Sequence, residues 1–335
     1  MSYSLTNIGC GAAFSSLLYG QTNWILTAPT GKRMLIDPGQ SAVYFARDVM
    51  GFTHLDFDTV YVSHGHADHI GSMEWLSLMN FFMPRQDKTK TNLVCEAQLM
   101  EQLWEHALKL GLETLEKKVA IIDDFFTCQP VHDINKPIYW EGLKIEVIQT
   151  LHIMSGRKFQ PSYGMIISEI PSDNGVEGVE PYKVFLTTDT QYCPEQLAAF
   201  YDDCDFVIHD VESAPFSSGV HAHWDKMKHE AKKRPGKLCP VHCNYSTEDI
   251  VPVMPRDSWE EDGFVMPVRR GEVFTFDGAD YIRDLPQYKR QHHVLNPQFS
   301  GNSKKDIITQ TKFLYGENNV KTNSKGELVI SLENS

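Results

Sequence analysis

The chain has no long apolar run, no Cys-x-x-Cys pair, no tandem repeat and little positive charge, and each absence removes a class of protein. Its apolar stretches fall well short of the roughly 20 residues that a membrane-spanning helix needs, so no membrane association is expected. The segment Met1 to Ile8 carries no basic cluster ahead of an apolar core, which argues against a secretory leader and for a cytoplasmic protein, in the host cytoplasm if the gene is a phage's. The cysteines are scattered and odd in number, seven in all, which points to small buried thiols rather than a disulfide framework or a thiolate metal cluster. With 31 Lys and Arg against 44 Asp and Glu, the net charge of -13 disfavours a broad grip on a nucleic-acid backbone. A small anion held by metal cations remains compatible with that charge.

What the chain does have is an ordinary globular composition, 41% hydrophobic and 22% charged over 335 residues, and 14 histidines, several at the ends of apolar segments. Strands are expected at Ser4 to Ile8, Trp24 to Thr27, Arg33 to Ile36, Phe57 to Val62 and Asn92 to Cys95. Further strands are expected at 143–149, at Tyr163 to Ile170 paired with Tyr182 to Leu186, and at Phe206 to Ile208 and Leu238 to Val241. Helical spacing covers Ala42 to Met50, Ile70 to Phe81, Ala97 to Leu110 and Lys226 to Lys233. Polar residues recur at strand ends: Asp37, His64, His152, Asp189, His209 with Asp210, and His242. Mixed elements with polar groups collected along a sheet edge describe a layered α/β sandwich. Residues 1–284 are read as one hydrolase domain. Residues 285–335 turn polar, with strand-like content at Ile307 to Leu314 and Glu327 to Leu332, and are read as a C-terminal appendage, a small β element or a dimer contact.

The run His64-Gly65-His66-Ala67-Asp68-His69 places four metal-compatible side chains within six residues. Alternation after a strand turns His64 and His66 the same way, and the following turn carries Asp68 and His69 toward a second ion. Imidazole and carboxylate donors suit Zn²⁺, with Mn²⁺ or another divalent ion as the alternative. At His242 the neighbouring Cys243 competes as a soft ligand. Asp37 is expected to orient the 64–68 loop by hydrogen bonding.

His-x-His-x-Asp-His after an apolar strand, followed by His152, Asp189 and His242 at later strand ends, resembles the signature of the metallo-β-lactamase superfamily over roughly residues 3 to 284. The resemblance implies a four-layer αββα sandwich. It also implies one metal on His64, His66 and His152, a second on Asp68, His69 and His242, and Asp189 between them. Asp68 counts in addition as a catalytic carboxylate. Such a pair of ions lowers the pKa of a shared water and stabilises charge on the attacked group.

The segments His209-Asp210-Val211-Glu212 and His221-Ala222-His223-Trp224-Asp225 resemble the phosphodiesterase arm of the superfamily, more distantly the tRNA 3′-processing nucleases. There, an acidic residue orients a histidine that assists phosphoryl cleavage. Asp210 matches the acidic member, and the histidine is His223 or His221. His223 is preferred because it sits two residues before Asp225, a candidate cap for a helix starting at Lys226. The Ser-Thr pair that the nucleases carry after this histidine is missing, and no basic arm for a tRNA is present. The stretch Gly11 to Asn23 and Ser72 to Leu76 resemble instead the small cyclic-nucleotide phosphodiesterases, including phage enzymes of the anti-Pycsar type. That resemblance implies hydrolysis of 3′,5′-cyclic nucleotides to nucleoside 5′-monophosphates by a homodimer; cleavage of structured RNA is the alternative. Tyr192, Phe216 and Trp224 are candidates to stack on a base, and Arg85, Lys88, Lys90, Arg157 and Lys158 to meet phosphate.

Overall fold

A computed structural model describes residues 2–15, 19–170, 181–244, 256–278 and 280–286, and beyond these the strands at 294–295, 320–322 and 328–330. The chain divides into two compact units, Met1–Val43 with Thr53–Pro286, and Tyr44–Phe52 with Gln287–Ser335.

Strands of the first unit are β1 (Tyr3–Gly9), β2 (Asn23–Thr27), β3 (Arg33–Ile36), β4 (Thr59–Tyr61), β5 (Asn92–Glu96), the short pair β6 (Thr114–Leu115) and β7 (Lys118–Val119), β8 (Thr127–Val131), β9 (Ile138–Trp140) and β10 (Leu143–Ser155). They continue with β11 (Lys158–Glu169), β12 (Val184–Leu186), β13 (Phe206–Asp210), β14 (Leu238–Val241), β15 (Val273–Asp277) and β16 (Asp280–Asp284). The α-helices of the chain are α1 (Ala42–Asp48), α2 (Ala67–Ile70), α3 (Met73–Phe82), α4 (Ala97–Gln102), α5 (Lys109–Leu112), α6 (Ile122–Phe125), α7 (Pro194–Asp203), α8 (Trp224–Lys233) and α9 (Arg256–Glu261).

One sheet runs β16-β15-β1-β2-β3-β4-β5-β8 and the other β14-β13-β12-β11-β10-β9. Alternation explains how they face each other. Leu5, Leu26, Met34 and Ile36 from the first sheet share a core with Leu143, Ile145, Val147, Met165 and Ile167 from the second. Each fully buried aliphatic side chain there stabilises the fold by about 1.5–3 kcal/mol. Two tyrosines cross that core to satisfy their hydroxyls on the opposite sheet: Tyr3 Oη donates to Ile167 O at 3.3 Å and Tyr61 Oη to Tyr163 O at 2.8 Å. Outside the sheets, α4 and α6 pack on β5 and β8, while Leu197 and Tyr201 of α7 and Met227 and Ala231 of α8 join the core from the other side. This is the αββα sandwich expected.

Two parallel runs position the polar residues. β3, β4 and β5 are mutually parallel neighbours, and so are β12, β13 and β14. Their carboxyl ends therefore lie on one edge of each sheet, where side chains of successive loops meet. Strands β12 to β14 are buried along their whole length, as their apolar sequences require between two layers.

Several expectations need correction. The strand expected at 143–149 continues to Ser155, because β11 pairs with it through to Lys158, so His152 lies within a strand rather than after one. The helix expected over 70–81 is two helices, since the chain turns at Gly71 and Ser72, where a Cβ on Gly71 would lie 2.5 Å from Ala67 O. Helix α4 continues into six residues of π-helix, Leu103–Leu108, and α7 was not anticipated. Helix α8 begins at Trp224 with His223 as its N-cap, two residues earlier than expected.

In the second unit the described strands β17 (Val294–Leu295), β18 (Val320–Thr322) and β19 (Leu328–Ile330) pair antiparallel in the order β17-β19-β18. The strand content expected at Ile307 to Leu314 lies outside the described residues. No helix among the described residues is long and apolar enough to cross a membrane.

Candidate metal centre

After β4 the chain leaves the sheet through Ser63 and enters the one-turn helix α2, for which His66 is the N-cap. That turn carries Asp68 and His69 inward, where both are buried. Gly39 makes the approach possible: a Cβ there would lie 1.9 Å from Asp68 O, so only glycine lets the loop after β3 lie against α2. Asn23 Nδ2 donates to the same carbonyl at 3.0 Å.

The donor atoms fall into two groups. In the first, His66 Nδ1 lies 3.0 Å from His64 Nε2 and 3.1 Å from His152 Nε2, and Asp189 Oδ2 lies 3.6 Å from each of those Nε2 atoms. In the second, His69 Nε2 lies 3.3 Å from Asp68 Oδ2 and 3.2 Å from Asp189 Oδ1, and His242 Nδ1 lies 3.5 Å from Asp189 Oδ1. Within each group one donor atom per residue lies within 4.8 Å of every other. Asp189 belongs to both, with one oxygen toward each. The seven residues singled out at 64 to 69, 152, 189 and 242 are therefore brought together. Cys243 is in none of the donor groups found among the described residues.

The far sides of the rings are held by the protein. Asp37 accepts from Ser63 N at 2.7 Å, from Ser63 Oγ at 2.6 Å and from His69 Nδ1 at 2.9 Å. His152 Nδ1 donates to Val220 O at 3.0 Å, and His64 Nδ1 lies 3.0 Å from Ser63 Oγ. Each bond fixes a tautomer and leaves Nε2 aimed into the cluster, the arrangement that outer hydrogen bonds give to metal-ligating histidines. Ser63 is a part of this support that the sequence did not single out; its only signal was its place between strand and first histidine.

A metal ion fits these residues. His69 Nε2, both ring nitrogens of His242 and Asp189 Oδ1 are buried without a hydrogen-bond partner. Buried polar atoms are nearly always partnered, and four orphans pointing into one His/Asp cluster match ligands for cations. The charge balance agrees. Burial pushes His152 down to about 4 and lowers His64 and His66 as well, which leaves neutral imidazoles. Burial also disfavours charge on His69, but Asp189, Asp68 and Asp37 outweigh it and raise that ring well above the ordinary range. Asp68, against its own burial, is brought to about 2 by His69, and Asp189 is lowered by His242 and His69. Carboxylates in such excess call for positive charge among them.

Beside this cluster, His221 Nδ1 donates to Asp210 Oδ2 at 2.7 Å, and its ring lies 4.8 Å from that of His242 and 5.3 Å from that of His152. Thr190 N donates to the same carboxylate oxygen at 2.9 Å. Burial opposes protonation of His221, yet Asp210 raises it to about 10, so the ring carries its second proton at neutral pH. The preference for His223 is overturned. Its Nδ1 accepts from Asp225 N at 3.4 Å and its Nε2 donates to Ala214 O at 2.9 Å, so both nitrogens serve the N-terminus of α8. Asp225 was expected as that cap; His223 is the cap instead.

Other candidates are placed elsewhere. Arg85 donates to Phe57 O at 2.6 Å and to Thr91, and Lys90 to Asp123 O, so both brace the fold. Tyr192 and Trp224 pack against the core, and Phe216 is exposed.

Residues 3–274 match the protein family described as anti-Pycsar protein Apyc1. An anti-Pycsar protein Apyc1 of Bacillus phage vB_BveM-Goe7 is 28% identical over 267 residues, covering 77% of this chain and 96% of that protein. Among solved structures, unliganded yeast PDE1 superposes with a TM-score of 0.59 at 11% identity, over 82% of this chain and 99% of that one. The metallo-β-lactamase fold protein YhfI from Bacillus subtilis gives 0.58 at 16% identity, over 82% and 100%. At these identities the structures support the fold alone.

Proposed function

Because the chain belongs to the anti-Pycsar Apyc1 family, we propose that this metal-dependent phosphodiesterase hydrolyses 3′,5′-cyclic nucleotides to nucleoside 5′-monophosphates and so removes a cyclic-nucleotide antiviral signal. The observation that carries the reading is Asp189, whose two oxygens face two separate donor groups, with the His221–Asp210 pair beside them. His64, His66 and His152 would hold one divalent ion, Asp68, His69 and His242 the other, and Asp189 both. Zn²⁺ is the proposed metal, since the donors are nitrogen and carboxylate oxygen. Two such ions supply Lewis acidity and a water-derived nucleophile at neutral pH.

The chain's own residues do the rest. Water adds to phosphorus, the bond from phosphorus to the 3′ oxygen breaks, and that oxygen leaves as an alkoxide unless it is protonated. His221 delivers the proton from Nε2. Asp210 holds Nδ1 and keeps the ring charged until transfer. Buried walls around Asp189 and His152 exclude bulk water and strengthen every charge interaction within. Under the same reading the protein is a cytoplasmic homodimer, which light scattering of the purified chain checks.

The test is incubation of the metal-loaded protein with a panel of cyclic mononucleotides, products being separated by chromatography. Nucleoside 5′-monophosphate is the expected product. No turnover of any of them, with two ions per chain confirmed by elemental analysis, rejects the proposal.

A further inference from the structure

Next to the metal centre along the same sheet edge lies a second cavity of about 640 Å³, between the start of α4 with its π-helical continuation and the far end of the β10–β11 hairpin. Gly65, which separates His64 from His66, and Ile153, which follows His152, both line it, so it adjoins the cluster directly. We propose that this cavity is the nucleobase subsite and that Gln98, Gln102 and Gln160 read the edge of the base. This rests on the cyclic-nucleotide reading above and adds where the base goes and which residues select it.

Three features carry the inference. The first is position: β5 is the next parallel strand after β4, so whatever follows its carboxyl end lies beside the phosphate site at a distance that a nucleoside spans. The second is chemistry. Leu99 and Phe159 offer apolar faces for a planar ring, while the three primary amides offer paired donors and acceptors at its rim. None of the three amides has a hydrogen-bond partner among the described residues, although Glu96 in the same wall is engaged with Leu99 N at 2.9 Å. The third is construction. The hairpin extends well past His152, and the residues of that extension, Phe159 and Gln160 among them, form a wall of the cavity. A π-helical segment that widens the opposite wall is itself a feature found frequently at functional sites.

Amides present a donor or an acceptor according to how they flip, so the subsite suits more than one base. It selects by the number of bonds rather than by exclusion.

The experiment uses the full chain. The wild-type protein is irradiated with an 8-azido purine or a 5-iodo pyrimidine cyclic nucleotide, and cross-linked peptides are mapped by mass spectrometry. In parallel, kcat and KM for four cyclic nucleotides are measured on Gln102→Ala and Gln160→Ala, with Gln102→Glu as a second variant at the first position. Cross-links within 96–107 or 153–161, together with an about ten-fold rise in KM and a changed order of base preference, are expected. Cross-links elsewhere, for instance around Phe216 or Trp224, or an unchanged order of preference in folded, active variants, overturn the subsite and leave the phosphodiesterase reading standing. No turnover and no cross-link that unlabelled nucleotide competes away overturn both.

Discussion

Asp37→Asn isolates the contribution of an outer carboxylate, because asparagine also tolerates the left-handed backbone that Asp37 adopts at φ 56°. The carboxylate accepts three hydrogen bonds, two from Ser63 and one from His69 Nδ1. An amide has one accepting oxygen. If that oxygen keeps Ser63 N, its NH₂ meets His69 Nδ1–H, and two donors confront each other. His69 can then escape only by moving its proton to Nε2, the atom that faces Asp68 and Asp189. Either outcome damages the second donor group and spares the first, whose outer partners are Ser63 Oγ and Val220 O. Loss of such an outer partner costs about 10- to 100-fold in metal affinity, or roughly 1.4 to 2.7 kcal/mol. The assay is stepwise metal titration by competition with a chromophoric chelator, read beside the wild type. One ion should bind as before and the other should weaken. Two ions bound with wild-type affinity would refute the assignment of Asp37 as the residue that sets the His69 tautomer.

His221→Ala should lower kcat by about 10²- to 10⁴-fold with two ions still bound, whereas His223→Ala should cost about 1 kcal/mol of stability at the α8 cap with kcat little changed; steady-state kinetics and urea melts separate the two, and the reverse pattern would restore His223. Stripping metal with a chelator should lower the thermal midpoint, since ions at about 1,000 times their Kd stabilise by about 4 kcal/mol, and an unchanged midpoint would mean that the folded state holds no tightly bound ion. Glu272 is buried, which alone would raise its carboxyl, but its bonds to Arg283 at 2.8 and 3.0 Å, with Arg269 at 2.9 Å, leave it lowered. A depressed carboxylate contributes stability above its unfolded pKa of roughly 4.3 and loses it as pH falls toward the folded value. The wild type should therefore lose its advantage over Glu272→Gln below about pH 5, and parallel stability curves for the two proteins down to pH 3 would count against the ion pair.

The donor set was legible because strand-end alternation and loop chemistry are local. His64 to His69 occupy one turn and its approach, and a tight turn after a parallel strand has few ways to point its side chains. The support around them was not legible. Whether Ser63, Val220 or Thr190 lies behind a given ring depends on how two sheets meet, and that is decided by buried side chains far away in sequence, such as Tyr61 against Tyr163. The choice between His221 and His223 failed for a related reason. Alternation puts both on the same side, and capping favours a short polar side chain, so Asp225 drew the helix start too late. In the structure Trp224 N is held by Glu212 O, which starts α8 earlier and uses up the His223 ring as the cap. The long hairpin was likewise underread, because past Thr150 its exposed end has no buried face to impose alternation.

Backbone strain is concentrated where the two sheets deliver their donors. Of the non-glycine residues with left-handed backbone among those described, Asp37, Thr188 and His242 each follow a strand of a parallel run and adjoin or belong to the cluster. Asp tolerates that region; Thr and His do so less readily, and each such residue costs on the order of 1 kcal/mol or more. The surroundings hold them there: Asp37 by Ser63 and His69, Thr188 by Ser162 Oγ at 2.8 Å, His242 by its N–H on Cys10 O at 3.0 Å. A strand continuing in extended form would carry its next side chain on past the edge. A left-handed residue instead reverses the chain within one step and turns the side chain back over the sheet end. In these three places the reversal keeps Asp37 behind His69, Asp189 between the donor groups and His242 beside His221. The unpartnered atoms of His242 and Asp189 therefore belong to side chains whose backbones the fold has already fixed, so ions that fill the cluster would meet ligands needing little further ordering.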